Sequence, residues 1–244
     1  MSAHDVKLFG DQVAASRVEG KFARLDAVSL LRLAIKGLYP GRIALVSSFG
    51  ADSAVLLHMI AQIDKSTPVV FVDTGQHFPE TLAYRDELVA KLGLTNVREQ
   101  APDAATLANE DPENFLFAAD PDRCCDIRKV EPLAKALEPY EAWITGRKAF
   151  QTATRAALPL FEAEGERVKI NPLAGWSASD LLAYIREAGL PPHPLVAKGF
   201  PSIGCLPCTS QVRPGEDPRA GRWRGRGKVE CGIHTSVLNS GSDI

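Results

Sequence analysis

Apolar residues at Val28, Leu31, Ile35 and Leu38 recur at spacings of three and four, which predicts a helix over Asp26–Leu38. Pro40–Gly41 ends it. Ile43–Val46 is short, continuous and apolar, the pattern of a strand buried on both faces. The polar turn Ser47–Ser53 follows, and Ala54–Ile63 returns to a helical pattern. Val69–Val72 repeats the buried-strand signature, ends at Asp73-Thr74-Gly75, and is followed by a helix over Pro79–Leu92. Ala142–Thr145 is a further strand ending at Gly146, and Val168–Ile170 another. Ser177 with Asp180 three residues on caps a helix running through Ala188.

Strand, polar loop and helix in alternation give an α/β chain with a parallel sheet covered by helices. From Pro191 seven prolines interspersed with glycines exclude long regular elements, so the last fifth is read as loops laid over the core. The expected organisation is one domain: a nucleotide-binding core over 1–200 with a helical N-terminal part, and a functional tail over 201–244. No internal repeat is present.

With 244 residues and 45% hydrophobic content the chain can bury a full core. Its 28 basic and 30 acidic residues nearly balance, giving no global argument for nucleic acid, so any anion site must arise from local clustering. No run approaches the roughly 18 apolar residues of a membrane helix. Met1–Gly20 carries Asp5, Asp11 and Glu19 and does not read as a signal peptide. The expected location is the cytoplasm, with no membrane partner. In that reducing compartment five cysteines point to metal or redox chemistry rather than disulfides.

Ligands of open α/β sheets bind beyond the carboxyl ends of the strands. Three polar loops emerge there: Ser47–Ser53, Asp73–His77 and Gly146–Arg155. The first opens a helix, and its backbone N–H groups suit a phosphate or sulfate oxygen; a plain capped turn is the alternative. Ser48-Phe49-Gly50-Ala51-Asp52-Ser53 resembles the PP-loop, Ser-Gly-Gly-x-Asp-Ser, with Phe49 and Ala51 departing from it, and is not a Walker loop. Val72-Asp73-Thr74-Gly75 resembles the second signature of the same superfamily. The third loop brings Arg147, Lys148, Gln151 and Arg155, and its cations fit an anionic ligand.

Cys124 and Cys125 are adjacent, and Cys205-x-x-Cys208 follows after 79 intervening residues. Two thiol pairs can hold zinc or an iron–sulfur cluster. Zinc pairs are normally spaced by two or more residues, whereas neighbours on a helix can reach two irons of a cubane, which favours a 4Fe–4S cluster. Lys129 lies four residues after Cys125, on the same face if this stretch is helical, where it could offset the cluster's charge or reach a substrate sulfate. An ordinary surface lysine is the alternative. Cys231 stands alone in Glu230-Cys231-Gly232-Ile233-His234, just after Arg213, Arg219, Arg222, Arg224, Arg226 and Lys228. Such cations favour a thiolate and hence a nucleophile. Gly225, Gly227 and Gly232 suit a tail that closes over a ligand and reopens.

These motifs resemble those of the assimilatory adenylyl-sulfate (APS) reductases, relatives of the PAPS reductases. The resemblance spans Ile43 to His234 and rests on six segments: Ser48–Ser53, Val72–Gly75, Cys124-Cys125-x-x-Arg128-Lys129, Gly204-Cys205-x-Pro207-Cys208-Thr209, Ala220–Trp223 and Glu230–His234. It implies an adenine nucleotide α-hydrolase-like fold and the reduction of adenosine 5′-phosphosulfate to sulfite and AMP, as in sulfate assimilation and cysteine biosynthesis. Cys231 would carry an S-sulfocysteine, and thioredoxin or a similar dithiol carrier would supply the electrons. By the same resemblance Cys124, Cys125, Cys205 and Cys208 ligate one 4Fe–4S cluster. The implied substrate-binding set is Ser48, Phe49, Gly50, Asp52, Ser53, Asp73, Thr74, Gly75, Lys129, Lys148, Arg155, Arg219, Arg222 and His234. The chain departs from the family at Ala149, where a second loop arginine is usual, and in Arg224–Lys228, which lacks an aromatic run.

The runner-up is a PAPS reductase, which shares the chemistry on a 3′-phosphorylated substrate; its cluster-free members lack the paired cysteines. A PP-loop ATP pyrophosphatase has no use for Cys231 in its terminal motif. A non-enzymatic nucleotide sensor would keep its function in Cys231→Ser. Homo-oligomerisation is left open by the sequence.

Overall fold

In a computed structural model the described residues are 25–152 and 155–234. The expectations for Met1–Gly20 and for the final ten residues of the tail lie outside them. A helix α1 (Ala27–Arg32) is capped by Asp26, whose carboxylate accepts from Ser29 N at 2.9 Å. The predicted helix continues to Leu38, but over Leu33–Leu38 it widens into a π-helical turn. Six strands and seven further helices follow: β1 (Ile43–Val46), α2 (Ser53–Ile63), β2 (Val69–Val72), α3 (Pro79–Leu92), β3 (Val97–Gln100), α4 (Ala104–Glu110), α5 (Leu116–Ala119), α6 (Pro121–Cys125), α7 (Glu131–Leu137), β4 (Ala142–Ile144), β5 (Phe161–Glu164), β6 (Arg167–Ile170) and α8 (Ala178–Glu187). The third predicted strand, Ala142–Thr145, ends one residue early, at Ile144. β3, β5 and the four helices between Ala104 and Leu137 are additions that the sequence pattern did not predict.

The strands form one sheet in the order β3-β2-β1-β4-β6-β5. All neighbours are parallel except the β5–β6 pair, which is antiparallel at the edge. The central strands β1, β2 and β4 are apolar because both faces are covered. One face packs on α1, α2, α3 and α8 through Leu31, Leu45, Leu57, Ile60, Phe71, Leu88 and Leu181. The other packs on α7 through Leu133, Leu137 and Trp143. The sheet is therefore the middle of three layers.

From β1 the order runs outward one way to β2 and β3, and the other way to β4, β6 and β5. The reversal lies between β1 and β4, whose register pairs Leu45 with Ile144. The loops leaving these two strands diverge and open a crevice at their carboxyl ends.

At the β5 edge a charge lies inside the fold. Lys169 on β6 is fully buried, with its Nζ 2.9 Å from Glu162 and 2.7 Å from Glu164. It lies 5.0 Å from the Trp143 ring centroid, and the Trp143 indole N–H donates to Glu164 at 2.8 Å. The antiparallel turn of β5 is what brings both carboxylates to the lysine. Lys169→Met should lower the unfolding free energy by about 3 kcal/mol in urea titration, the low end for breaking a buried pair because both carboxylates keep some solvent.

Candidate active site

A cavity of about 310 Å³ lies at the strand-order reversal. Ser47, Ser48, Gly50, Asp52 and Ser53 line it from the loop after β1; Arg147, Lys148, Gln151 and Arg155 from the loop after β4; Arg219, Arg222, Glu230, Cys231 and His234 from the tail. Thr74, Lys129 and Cys205 also line it.

The loop after β1 turns through Phe49, whose φ of 48° lies in the left-handed region that disfavours a side chain. Burial offsets this. The ring is fully enclosed and meets Phe71 edge-on at 5.5 Å. Phe49 is thus absent from the cavity wall, because its side chain belongs to the core and only its backbone shapes the loop. Asp52 precedes α2 without capping it. Its carboxylate instead accepts from Lys148 Nζ at 2.8 Å, leaving the α2 N-terminus beside the cavity without a side-chain cap, although Ser53 N and Val55 N donate to Gly50 O and Asp52 O. Lys148 is almost fully buried, and burial pulls its pKa down despite the Asp52 charge.

The loop after β2 contributes Thr74. Asp73 and Gly75, expected beside it, do not line the cavity: the Asp73 carboxylate turns back to accept from Gly75 N at 2.9 Å. His77, which the sequence reading passed over, does line it, with its Nε2 3.0 Å from Val72 O and its ring on Phe71.

The four paired cysteines are buried, between 4% and 8% exposed, and none is in a disulfide. Cys124 and Cys125 close α6, whose first N–H groups are capped by Asp120. The chain then widens into a π turn over Asp126–Val130, a distortion frequent at functional sites. From this turn Lys129 reaches Cys125 Sγ at 3.7 Å, while Arg128 points inward. Arg128 donates to Asp111 at 2.6 Å, to Thr74 O at 2.8 Å and to Asn114 Oδ1 at 2.9 Å. That buried fork ties the cysteine helix to the loop after β2; Asp111 and Asn114 carry no sequence motif that could have revealed it.

Cys205 and Cys208 sit on a short 3₁₀ turn and pack with Trp223, Phe117 and Cys231. Thr74 Oγ1 lies 3.3 Å from Cys205 Sγ, and Arg226 Nη1 lies 3.8 Å from Cys208 Sγ. Cys205 and Cys208 thus share one cluster with Cys231, while Cys124 and Cys125 lie side by side at the end of α6. As free thiols Cys124 is pushed up to about 12 by burial, and Cys125 and Cys208 are raised for the same reason. Among the described residues no three His, Cys, Asp or Glu side chains converge as a site for a single metal ion.

In the tail, the Arg222 guanidinium lies against Gly204, where an added Cβ would stand 2.3 Å from its Nη2. Only glycine admits this approach. Arg222 Nη1 donates to Ile203 O at 3.2 Å, and its Nε is buried without a partner. Glu230, in the motif but not read as a site residue, accepts from Arg155 at 2.7 Å and lies 3.7 Å from Arg219. Burial and the like charges of Arg222 and Arg155 lower the Arg219 pKa. Cys231 is half-buried at the wall. After the turn at Gly232 (φ 86°), Ile233 packs against the apolar cluster that contains Leu133, Leu137 and Trp143, and His234 stacks on Trp143 at 5.8 Å and 7°. His234 Nδ1 is sealed from solvent with no partner.

The family model of the phosphoadenosine phosphosulfate reductase domain matches residues 42–211. The chain belongs to that family. An adenosine 5′-phosphosulfate reductase of Mesorhizobium japonicum is 54% identical over 229 residues, covering 94% of this chain and 90% of the relative. A phosphoadenosine 5′-phosphosulfate reductase of Gloeobacter violaceus is 39% identical, covering 92% and 95%. Among solved structures, the phosphate complex of a PAPS reductase from Candida auris superposes with a TM-score of 0.68 at 26% identity, covering 83% of this chain and 98% of that one. The family's fold thus extends through the crevice between β1 and β4. No helix among the described residues is long and apolar enough to cross a membrane.

The buried edge of His234 and its cationic neighbours make tail docking sensitive to pH. Burial first, then Arg147, Arg155, Lys169 and Arg219, hold its pKa well below the ordinary value. The docked tail excludes a proton that the undocked tail takes up as pH falls through about 6.5, so docking is full above that pH and weakens below it. Hydrogen–deuterium exchange of the tail, corrected for intrinsic rates, should accelerate between pH 7.5 and 5.5, and His234→Phe should flatten that dependence.

Proposed function

We propose that the chain reduces adenosine 5′-phosphosulfate to sulfite and AMP, with Cys231 as nucleophile. The observation that carries this reading is Cys231 Sγ on the wall of a cavity that also holds a helix N-terminus without a side-chain cap and two cations without a carboxylate partner. Most cations there are already paired: Lys148 with Asp52, Arg147 with Glu162, Arg155 and Arg219 with Glu230. Lys129 and Arg222 have no such partner among the described residues. They are the groups left to meet the anionic sulfonate, which supports them over the paired cations of the loop around Ala149. The α2 N-terminus suits the α-phosphate oxygens. His234, with its unpartnered Nδ1, is a polar group at the same wall.

The reaction then runs in two displacements. The Cys231 thiolate forms a bond to the sulfonate sulfur, the S–O bond to the nucleotide breaks with its electron pair going to oxygen, and AMP leaves. Lys129 and Arg222 offset the charge spread over the sulfonate oxygens as this occurs. The product is S-sulfocysteine. A dithiol carrier of the thioredoxin kind next attacks Cys231 Sγ, and sulfite departs with the S–S electron pair. The carrier's second thiol then resolves the mixed disulfide and restores Cys231. The carrier supplies both electrons.

The paired cysteines are proposed to hold one 4Fe–4S cluster. The residues present fit: the four paired thiols are buried, and hydroxyl, ammonium and guanidinium donors reach three of them, as a charged thiolate-held cluster would require. When bound, the cluster supplies a fixed charge and a rigid junction among α6, the turn at Cys205 and the tail. Visible absorption of anaerobically prepared protein should show the broad band of such a cluster, and Cys205→Ser should remove it; a colourless protein carrying zinc would contradict the assignment.

A second reading, phosphoadenosine 5′-phosphosulfate as substrate, draws on the Gloeobacter violaceus relative. Parallel kinetics on the two nucleotides decide between them, with a larger kcat/KM expected for the substrate lacking the 3′-phosphate. For the mechanism, mass spectrometry of protein incubated with adenosine 5′-phosphosulfate and no reductant should show one added sulfonate. Thioredoxin should release it. Cys231→Ser should bind the nucleotide, gain no mass and make no sulfite.

A further inference from the structure

The reading of Cys231 as nucleophile leaves its neighbour Glu230 without a stated task, although its carboxylate lies inside the cavity wall. Glu230 Oε2 accepts from Arg155 Nη2 at 2.7 Å, and Arg219 Nη2 lies 3.7 Å from the same oxygen. Thr152 Oγ1 donates to Oε1 at 3.5 Å. Arg155 is 9% exposed and is also held by Gln151 Oε1 of its own loop at 2.6 Å, a contact that does not involve the tail. Arg219 in turn donates to Val229 O at 3.1 Å, gripping the tail backbone one residue before Glu230.

The other ion pair of this stretch, Lys228 with Asp122, involves a carboxylate that is 84% exposed, and such a pair contributes little. Glu230 is 19% exposed, and its pair is the better shielded of the two. On the far side of Cys231 the anchor is Ile233 on the apolar cluster and His234 on Trp143. The nucleophile is thus suspended between an ionic anchor and an apolar one, with the φ 86° turn at Gly232 between Cys231 and the second.

We propose that Glu230 is a positioning residue: its carboxylate joins Arg155 of the core to Arg219 of the closing loop and sets Cys231 at the cavity mouth. Arg155 then serves the tail rather than the sulfonate. The arrangement rests on the proposed role of Cys231, but the first of its tests reads the tail's position and is independent of activity.

Trypsin has sites at Arg224, Arg226 and Lys228, so cleavage there reports opening of the tail in the intact holoprotein. Glu230→Gln should be nicked at these sites at least about tenfold faster than the parent chain, and Glu230→Asp should recover most of the protection. With adenosine 5′-phosphosulfate as substrate, kcat of Glu230→Gln should fall by about tenfold or more. Nucleotide affinity, measured by calorimetry in the Cys231→Ser background with and without Glu230→Gln, should stay within about twofold. Unchanged nicking would overturn the proposal. So would a tenfold change in affinity: tighter binding would make Glu230 a competitor for the substrate's anion seat, and weaker binding a substrate ligand. Faster nicking in a chain with no activity toward the nucleotide would uphold the anchor and reject the assigned reaction instead.

Discussion

A reversal of strand order between two adjacent parallel strands governs the architecture of this site. Because the chain leaves β1 toward one edge of the sheet and β4 toward the other, no connection fills the space beyond their carboxyl ends. That gap must be closed by something. Here it is closed by the α2 N-terminus, by a cationic loop and by a proline- and glycine-rich tail with little regular structure of its own. The tail has a single backbone bridge, Thr209 with Arg222, among its described residues, and side chains add to its hold: an ion pair at Glu230, a stacked ring at His234 and an apolar cluster at Cys205, Cys208 and Trp223.

The same gap collects charge, and charge in a partly dry cavity must be compensated locally. Asp52, Glu162 and Glu230 each meet a cation of the wall, leaving Lys129 and Arg222 unmatched by a carboxylate among the described residues. A cavity whose cations were all free would bind any anion and hold its own tail poorly. One whose cations were all paired would have no attraction for a sulfonate. The distribution found lies between these limits, and on the proposed reading it divides holding the protein together from holding the ligand.

Much of this was legible from the sequence. The buried strands Ile43–Val46 and Val69–Val72 and the helix Pro79–Leu92 follow from continuous or periodic apolar residues, and the structure keeps their bounds. β3 was not legible because Val-Arg-Glu-Gln at a sheet edge has only one apolar residue to signal it. The helices between Ala104 and Leu137 are too short to show a period. In the site, spacing divided the cysteines into two pairs and a fifth; the structure buries all four paired thiols and packs the half-buried Cys231 beside Cys205 and Cys208. Spacing could not show that Phe49 turns its ring into the core, since the loop motif fixes backbone shape and not which way a substituted side chain falls. Nor could it show Glu230 meeting Arg155, a pair 75 positions apart along the chain whose contact exists only once the tail has folded back.

The placement of Cys231 has a kinetic corollary. It lines a cavity of about 310 Å³, which admits a nucleotide but not a protein. On the proposed mechanism its sulfur must be offered to two reactants of very different size, the second of which cannot follow the first inside. The chain would then alternate between two shapes in every cycle, one closed around the small molecule and one open to the carrier. The time the tail takes to let go is then a ceiling on turnover that no improvement in the bond-making steps could raise. The ionic and stacking contacts that bring the sulfur to its first partner are the ones that delay its meeting with the second.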